Sequence, residues 1–266
     1  MRAPLLAGGG GVERALRFEG SVALVTGAAG GGLGYAVAER LLFEGARVAV
    51  VDRHEARTEE AAARLAGRFG EDRVTGFVLD VTQSEAIAPA LAAVERSLGT
   101  LDVLVNNAAT NALGPLAEIS DDDWGRVLSL NLTACFALTR AVLPVMKVRG
   151  RGAIVNVSSI AAFGHGSGNN APYSASKAGL NALTRSVAVE GGPSGVRCNA
   201  VAPGLMEGPF LSARREEYRD QLERTPLGRF AEPADVASVV AFLASEDARH
   251  VTGEVINVSG GIYLKP

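Results

Sequence analysis

A phenol and an ammonium stand four residues apart in Tyr173-Ser174-Ala175-Ser176-Lys177, at the head of a helix-forming run. Side chains at i and i+4 share one face of a helix, so the spacing predicts that the two groups are neighbours. A free tyrosine keeps its proton up to a pKa of about 10, and a fixed cation beside it favours the phenolate. The pair therefore points to Tyr173 as a general acid or base. Taken alone the spacing is common on helices, where both groups usually meet only water, so its meaning depends on what the rest of the chain places around it.

The elements that must position the pair follow from the apolar pattern. Short runs rich in Val, Ile and Leu at 22–25, 48–51, 74–79, 103–105, 154–157, 196–201 and 255–258 alternate with Ala-, Leu-, Glu- and Arg-rich stretches such as 56–69 and 84–98. That alternation predicts an α/β chain, a single-domain doubly wound, Rossmann-type parallel sheet of about seven strands flanked by helices. A length of 266 residues with 47% hydrophobic composition suits one large domain. Residues 1–17 read as a flexible N-terminal extension and 18–266 as the dinucleotide-binding and catalytic domain, with a lid around 205–227.

Composition narrows the function classes. A net charge of -3, with 26 basic and 29 acidic residues mixed along the chain, gives no basic field for nucleic acid and no polybasic membrane patch. Cys135 and Cys198 are far apart, fit no metal-ligand spacing and read as buried thiols, so no metal site is expected. No apolar run approaches the roughly 18 residues of a membrane span, and the start of the chain is too weakly apolar for a secretory signal. A cytoplasmic location and small-molecule chemistry are the expectation.

A sheet of this kind binds ligands beyond the carboxyl ends of its strands. The first such end carries Thr26-Gly27-Ala28-Ala29-Gly30-Gly31-Gly32-Leu33-Gly34, followed at once by a helical run. Glycines let the backbone turn sharply and approach a ligand, and free amides at the helix start suit a pyrophosphate. Gly27, Gly32, Leu33 and Gly34 are thus candidates for the cofactor loop. Asp52 ends the second strand at the spacing where an acid accepts from an adenosine ribose, which favours NAD over NADP, although the adjacent Arg53 could meet a 2′-phosphate. Asp52 could instead cap the next helix. Asp80, with Val81 beside it, ends the third strand, where it could accept from the adenine amino group or cap a helix.

At Asn106-Asn107-Ala108-Ala109 the chain resembles the short-chain dehydrogenase/reductase family. The resemblance runs over residues 18 to about 263 and takes in the glycine loop, Asn131, Ser158-Ser159, Tyr173 with Lys177, Pro203-Gly204, Pro233-Ala234-Asp235-Val236-Ala237, Thr252-Gly253 and Gly260-Gly261. In general outline the chain is similar to 3-oxoacyl reductases. The resemblance implies a hydride transfer between a nicotinamide cofactor and a secondary alcohol or ketone, with a tetrad of Asn131, Ser159, Tyr173 and Lys177. It implies that Ser159 donates to the substrate oxygen, that Lys177 holds the tyrosinate and the nicotinamide ribose, and that Asn131 holds a water leading to solvent. Ser159 is preferred to Ser158 because strand alternation lets only one of them face Tyr173. Asn107, Ala108, Pro203 and Gly204 join the cofactor residues, and a homotetramer formed through the helices bearing Asn131 and Tyr173 is implied. The rival reading is a dinucleotide-binding regulator or sensor with little catalysis.

Three departures from the family pattern stand out. The glycine loop has one extra residue, so its turn must bulge among residues 29–31; Gly208 replaces the usual Thr; and Ser259 replaces the usual Asp before the final glycine pair. Substrate choice is expected from loops 161–171 and 205–227, which carry Phe163, His165, Met206, Phe210 and Leu211. Arg214 and Arg215 read either as part of a solvated face or as a dock for an acidic carrier.

Overall fold

The computed structural model describes residues 16–164 and 169–264. The expected extension lies outside them except for its last two residues. Of these, Arg17 is held by Glu44 at 2.5 and 2.7 Å and by Asp247 at 3.2 Å, so the folded unit begins at least one residue before the expected boundary.

The strands are β1 (Val22–Thr26), β2 (Arg47–Asp52), β3 (Val74–Val78), β4 (Val103–Asn106), β5 (Gly152–Val157), β6 (Val196–Pro203) and β7 (Val255–Val258). They form one parallel sheet in the order β3-β2-β1-β4-β5-β6-β7. The order reverses between β1 and β4, which opens a crevice beyond their carboxyl ends.

Both faces of the sheet are buried, and this is why its strands read as continuous apolar runs. In β1 the alternate residues Ala23 and Val25 pack under α1 (Leu33–Phe43), while Val22 and Leu24 face the opposite layer. With α1, the first layer holds α2 (Glu55–Phe69) and α7 (Pro233–Ala244); the second holds α3 (Ser84–Leu98), α5 (Ala134–Arg149) and α6 (Ala171–Gly191). Leu24, Leu104 and Ile154 are fully enclosed there, each contributing roughly 1.5–3 kcal/mol. The Pro233-Ala234-Asp235 segment is a helix start: proline stands in the first turn and Glu232 and Asp235 form a reciprocal capping box.

The helix that carries Asn131 is unusual. α4 (Asp121–Leu128), capped by Ser120 Oγ accepting from Asp123 N at 3.1 Å, runs into α5 through a π-helical turn at Ser129–Thr133. Joined in this way, residues Asp121–Arg149 make a helix long and apolar enough to cross a membrane by length and composition, which the apolar runs of the sequence had not suggested. Half of its apolar window is buried inside the fold, and α5 packs on β5 and α3, as a core helix does.

Beneath the crevice lies a buried polar rung. Asn106 Nδ2 donates to Asn156 Oδ1 at 2.8 Å, and Asn156 Nδ2 donates to Thr184 Oγ1 at 2.9 Å, tying β4 to β5 and to α6. Unpaired, these groups would each cost more than their bonds contribute, so the rung fixes the register of the elements that carry the site.

Candidate active site

The glycine loop divides into a part that needs glycine for space and a part that needs it for turning. A Cβ at Gly34 would lie 2.3 Å from the Gly27 carbonyl oxygen and 2.6 Å from Asn107 Nδ2, so only glycine lets α1 start this close to β4. Gly27, at φ +65°, approaches Ala108 similarly, with a Cβ 2.9 Å from its Cα. Gly30, Gly31 and Gly32 meet nothing within 4 Å, and Gly31 turns at φ +68°: the extra residue is taken up in this open bulge. Leu33 is buried as the first residue of α1, and no side chain caps that helix. Its first amides are therefore available to an anion, and the residues present fit a pyrophosphate.

Asn107 and Ala108 hold the loop rather than stand free. Thr26 Oγ1 accepts from Asn107 N at 2.9 Å and Ala108 N at 3.0 Å, while Asn107 Nδ2 donates to the carbonyls of Thr26, 2.8 Å, and Gly27, 3.1 Å. The sequence reading missed Thr26 as the hub of this lattice.

A cavity of about 510 Å³ extends from Gly27 over β2 and β3, bordered by Asp52, Arg53, Asp80, Val81, Asn107 and Ala108. Asp52 does not cap α2: its Oδ1 accepts from His54 N at 3.2 Å in the turn before the helix, and Oδ2 makes no bond among the described residues. Asp80 Oδ1 likewise receives Thr82 Oγ1 at 2.7 Å and Thr82 N at 3.0 Å. Those two bonds, with a smaller contribution from the charge of Arg53, hold the Asp80 carboxyl below its usual pKa. Neither carboxylate caps the helix that follows it, and both residues border the cavity. His54, Arg57 and Arg126 also line it, which the sequence reading did not include.

A second cavity, about 460 Å³, contains Ser159 and Tyr173 and is closed by Gly204, Leu205, Met206, Tyr218 and Gln221. The two cavities share Ala109 and Thr110. Thr110 is clamped by Asn131, whose Oδ1 accepts from Thr110 N at 2.8 Å and whose Nδ2 donates to Thr110 O at 2.9 Å and to Ser176 Oγ at 3.1 Å. With both amide hydrogens committed, the Asn131 side chain can receive a water only through Oδ1. The π turn is what presents Asn131, wholly buried, to this loop.

Ser159, two residues beyond the end of β5, lies near enough to Tyr173 for its hydroxyl to lower the phenol's pKa, and its Oγ accepts from Ala161 N at 3.1 Å. Ser158 points the other way, buried, donating to the carbonyl of Lys177 at 3.3 Å. Lys177 Nζ donates to the Val157 carbonyl at 2.7 Å and sits 5.5 Å from the centre of the Tyr173 ring. Pro203 ends β6, and Gly204, whose Cβ would meet Ser259 Cα at 3.0 Å, passes close under the final turn. There Ser259 Oγ bonds the backbone of Tyr263.

The electrostatics correct one expectation. Tyr173 is held above its ordinary pKa, because the fold withdraws its phenol from water; the Ser159 hydrogen bond lowers it only in part. Lys177 lies over the ring face, bonded to Val157, so its charge does not offset this. Burial also brings Lys177 down from its ordinary value to about 8, with a small opposing contribution from Cys135. At neutral pH it still carries its charge.

The expected substrate loops both reach the second cavity, through Ala161, Asn170, Leu205 and Met206. Phe163 stacks on Tyr263 with ring centres 5.0 Å apart. His165 lies outside the described residues. Leu211 turns inward to a small core with Tyr218 and Phe230. Arg215 is exposed and pairs with both Glu207 oxygens at 3.1 Å, a surface ion pair that fits a solvated face. The loop after β4 also enters the cavity, through Asn111 and Leu113, and was not anticipated.

A sequence profile of the family described as Enoyl-(Acyl carrier protein) reductase matches residues 27–263. A reductase of a hydroxy-methyl-oxo-hexahydroindene-carboxyl-CoA from Mycobacterium tuberculosis is 42% identical over 91% of this chain and 93% of its own. The chain belongs to the short-chain dehydrogenase/reductase family. The 3-oxoacyl-acyl-carrier-protein reductase FabG of Vibrio cholerae is 38% identical over 94% of this chain and all of its own. Among solved structures, an NAD+-bound xylitol dehydrogenase is 33% identical, covers 92% of this chain and 100% of its own, and superimposes with a TM-score of 0.87. The short-chain dehydrogenase/reductase chain is accordingly an oxidoreductase that moves a hydride between a nicotinamide cofactor and an alcohol or ketone, with tyrosine as the acid or base.

Proposed function

We propose that the protein uses NAD to oxidise a secondary alcohol, with Tyr173 taking the hydroxyl proton and Ser159 hydrogen-bonding the same oxygen. The observation that carries this reading is the meeting at Thr110 of a cavity bordered by Asp52 with a cavity holding Ser159 and Tyr173. A bound nicotinamide would accept the hydride and, in its oxidised form, add positive charge beside the phenol. The fixed Ser159 donor stabilises the developing charge on oxygen. Lys177, charged at neutral pH, lies over the Tyr173 ring and would hold the ribose; Asn131 holds the Thr110 wall and would receive a water at Oδ1. Gly27, Gly32, Leu33 and Gly34 would hold the pyrophosphate, and Pro203 and Gly204 the nicotinamide.

The preference for NAD rests on the uncommitted Asp52 oxygen, which suits a ribose hydroxyl and repels a 2′-phosphate. The charge of Arg53 acts weakly on the Asp80 carboxyl. Calorimetric titration is expected to find NAD bound at least 10-fold more tightly than NADP, and Asp52→Ala to reverse or erase the difference by weakening NAD about 10-fold. Tighter NADP binding by the unaltered protein would overturn the assignment.

Assembly as a homotetramer through α5 and α6, in the cytoplasm, completes the proposal. Leu180 and Val187 of α6 face their own core, whereas Ala178 and Ala182 are exposed, as are Phe136, Val145, Val148 and Val189. Such an apolar face is of the kind that other subunits cover.

A further inference from the structure

Ser159 takes its direction from the turn that follows it. Ser158 N still donates to Val201 O of β6 at 2.8 Å, whereas Ser159 is bonded forward into a 3-10 turn, Ile160–Phe163: its Oγ accepts from Ala161 N and its carbonyl from Ala162 N, both at 3.1 Å. The hydrogen-bond geometry of so short a 3-10 turn is poor, so its shape depends on how its two ends are held. One end is Ser159 itself. The other is Phe163, which packs against Ala200 and Ala202 of β6 and Val255 of β7 and stacks on Tyr263, with ring centres 5.0 Å apart and planes 10° from parallel.

Tyr263 stands on the segment after β7, and that segment is anchored in turn. Asn257 Nδ2 donates to Tyr263 O at 2.5 Å. Ser259 Oγ accepts from Tyr263 N and donates to Tyr263 O, each at 3.4 Å, a double role that a hydroxyl can fill and a carboxylate in its place could not. Gly260 and Gly261, at φ +65° and +89°, run so close to the end of the lid that a Cβ on them would meet Thr225 Cγ2 at 2.9 Å and Pro226 Cγ at 2.8 Å, and Gly260 O accepts from Leu227 N at 3.1 Å. The segment thus touches both substrate loops, the lid at 225–227 and the Ser159 turn at Phe163. We propose that Tyr263 is a positioning residue: its ring, stacked on Phe163, fixes the turn that aims the Ser159 hydroxyl at the substrate oxygen. This rests on the oxidoreductase reading and deepens it, assigning part of the precision of the Ser159 donor to the segment after β7. A donor to a developing negative charge acts only where it is held, so loosening it costs turnover while the dinucleotide crevice stays as it was.

The test compares Tyr263→Leu, Phe163→Leu, the double variant and Tyr263→Phe, reading kcat and KM for a panel of secondary alcohols with NAD, the dissociation constant for NAD, and Tm. Each leucine variant is expected to lower kcat about 10-fold, with KM and NAD binding within about threefold. Both remove the same stack, so the double variant should lose about 10-fold rather than about 100-fold. Tyr263→Phe keeps the ring and should stay within about twofold of the unaltered protein. A lower Tm with kcat intact, additive losses in the double variant, or equal losses in Tyr263→Phe and Tyr263→Leu overturns the inference and leaves the oxidoreductase reading in place. Should leucine at position 263 prevent folding, Phe163→Leu decides alone: a kcat about 10-fold lower with NAD binding kept supports the inference, and an unchanged kcat overturns it. Failure of every alcohol to react while the unaltered protein binds NAD would overturn the oxidoreductase reading, and this inference with it.

Discussion

Replacing Tyr173 with phenylalanine is expected to lower kcat about a thousandfold while leaving the dissociation constant for NAD within about threefold. The change removes one oxygen, the phenol that shares the second cavity with Ser159, and general acid or base assistance contributes roughly 10²–10⁴-fold. The ring stays under the Lys177 ammonium, so packing at the head of α6 is kept. Steady-state rates with an alcohol panel, together with calorimetric titration of NAD, separate the two effects. Loss of turnover with intact cofactor binding is the expected pattern. Unchanged behaviour in every assay would favour a dinucleotide sensor, in which the phenol has no chemical task.

Lys177→Met is expected to do two opposite things: abolish most turnover and raise stability. Lys177 is among the largest wholly buried side chains, and among the described residues its ammonium bonds one carbonyl, Val157 O, and pairs with no carboxylate. Burial lowers its pKa from 10.5 to about 8. Below pH 8 the folded protein must therefore keep a charge it would more readily expose, at a cost of about 3 kcal/mol. Between pH 8 and 10.5 the unfolded chain binds more protons at this position than the folded one, so the stability of the unaltered protein rises with pH across that window. The methionine variant lacks this slope. Allowing about 1 kcal/mol for the lost hydrogen bond, it should be more stable at pH 7 by about 2 kcal/mol, several degrees in Tm, with the gap closing by pH 10. Melting curves of both proteins from pH 7 to 10 give the result. A variant that melts lower at every pH would show that the ammonium stabilises its surroundings rather than straining them.

Much of the architecture was legible because burial on both sheet faces leaves an unambiguous trace. Runs such as Val22-Ala23-Leu24-Val25 are apolar throughout, with Ala- and Glu-rich helices between them, and each expected strand is found within a residue or two of its place. The site residues were legible where a residue type has little choice: Gly34 stands where no Cβ fits, and Tyr173 and Lys177 share a face by helical spacing. Less legible were features set by tertiary packing. The π turn at Ser129–Thr133 has no local signature, yet it is what turns Asn131 toward Thr110. The same turn joins two helices into one of 29 residues, so a span-length apolar helix arose where no single run suggested it. The expected depression of the Tyr173 pKa was reversed because spacing along a helix fixes neighbourhood but not depth: the cation lies over the ring while the phenol is withdrawn from water.

The central claim is that the Tyr173 phenol is held in its protonated state by burial until a cationic cofactor lies beside it. Ultraviolet difference titration, subtracting Tyr173→Phe from the unaltered protein, follows that one phenol through its ionisation. It is expected to titrate above pH 10 in the free protein and at least one pH unit lower with NAD+ bound. An unchanged midpoint with and without NAD+, or an ordinary value in the free protein, would contradict the account.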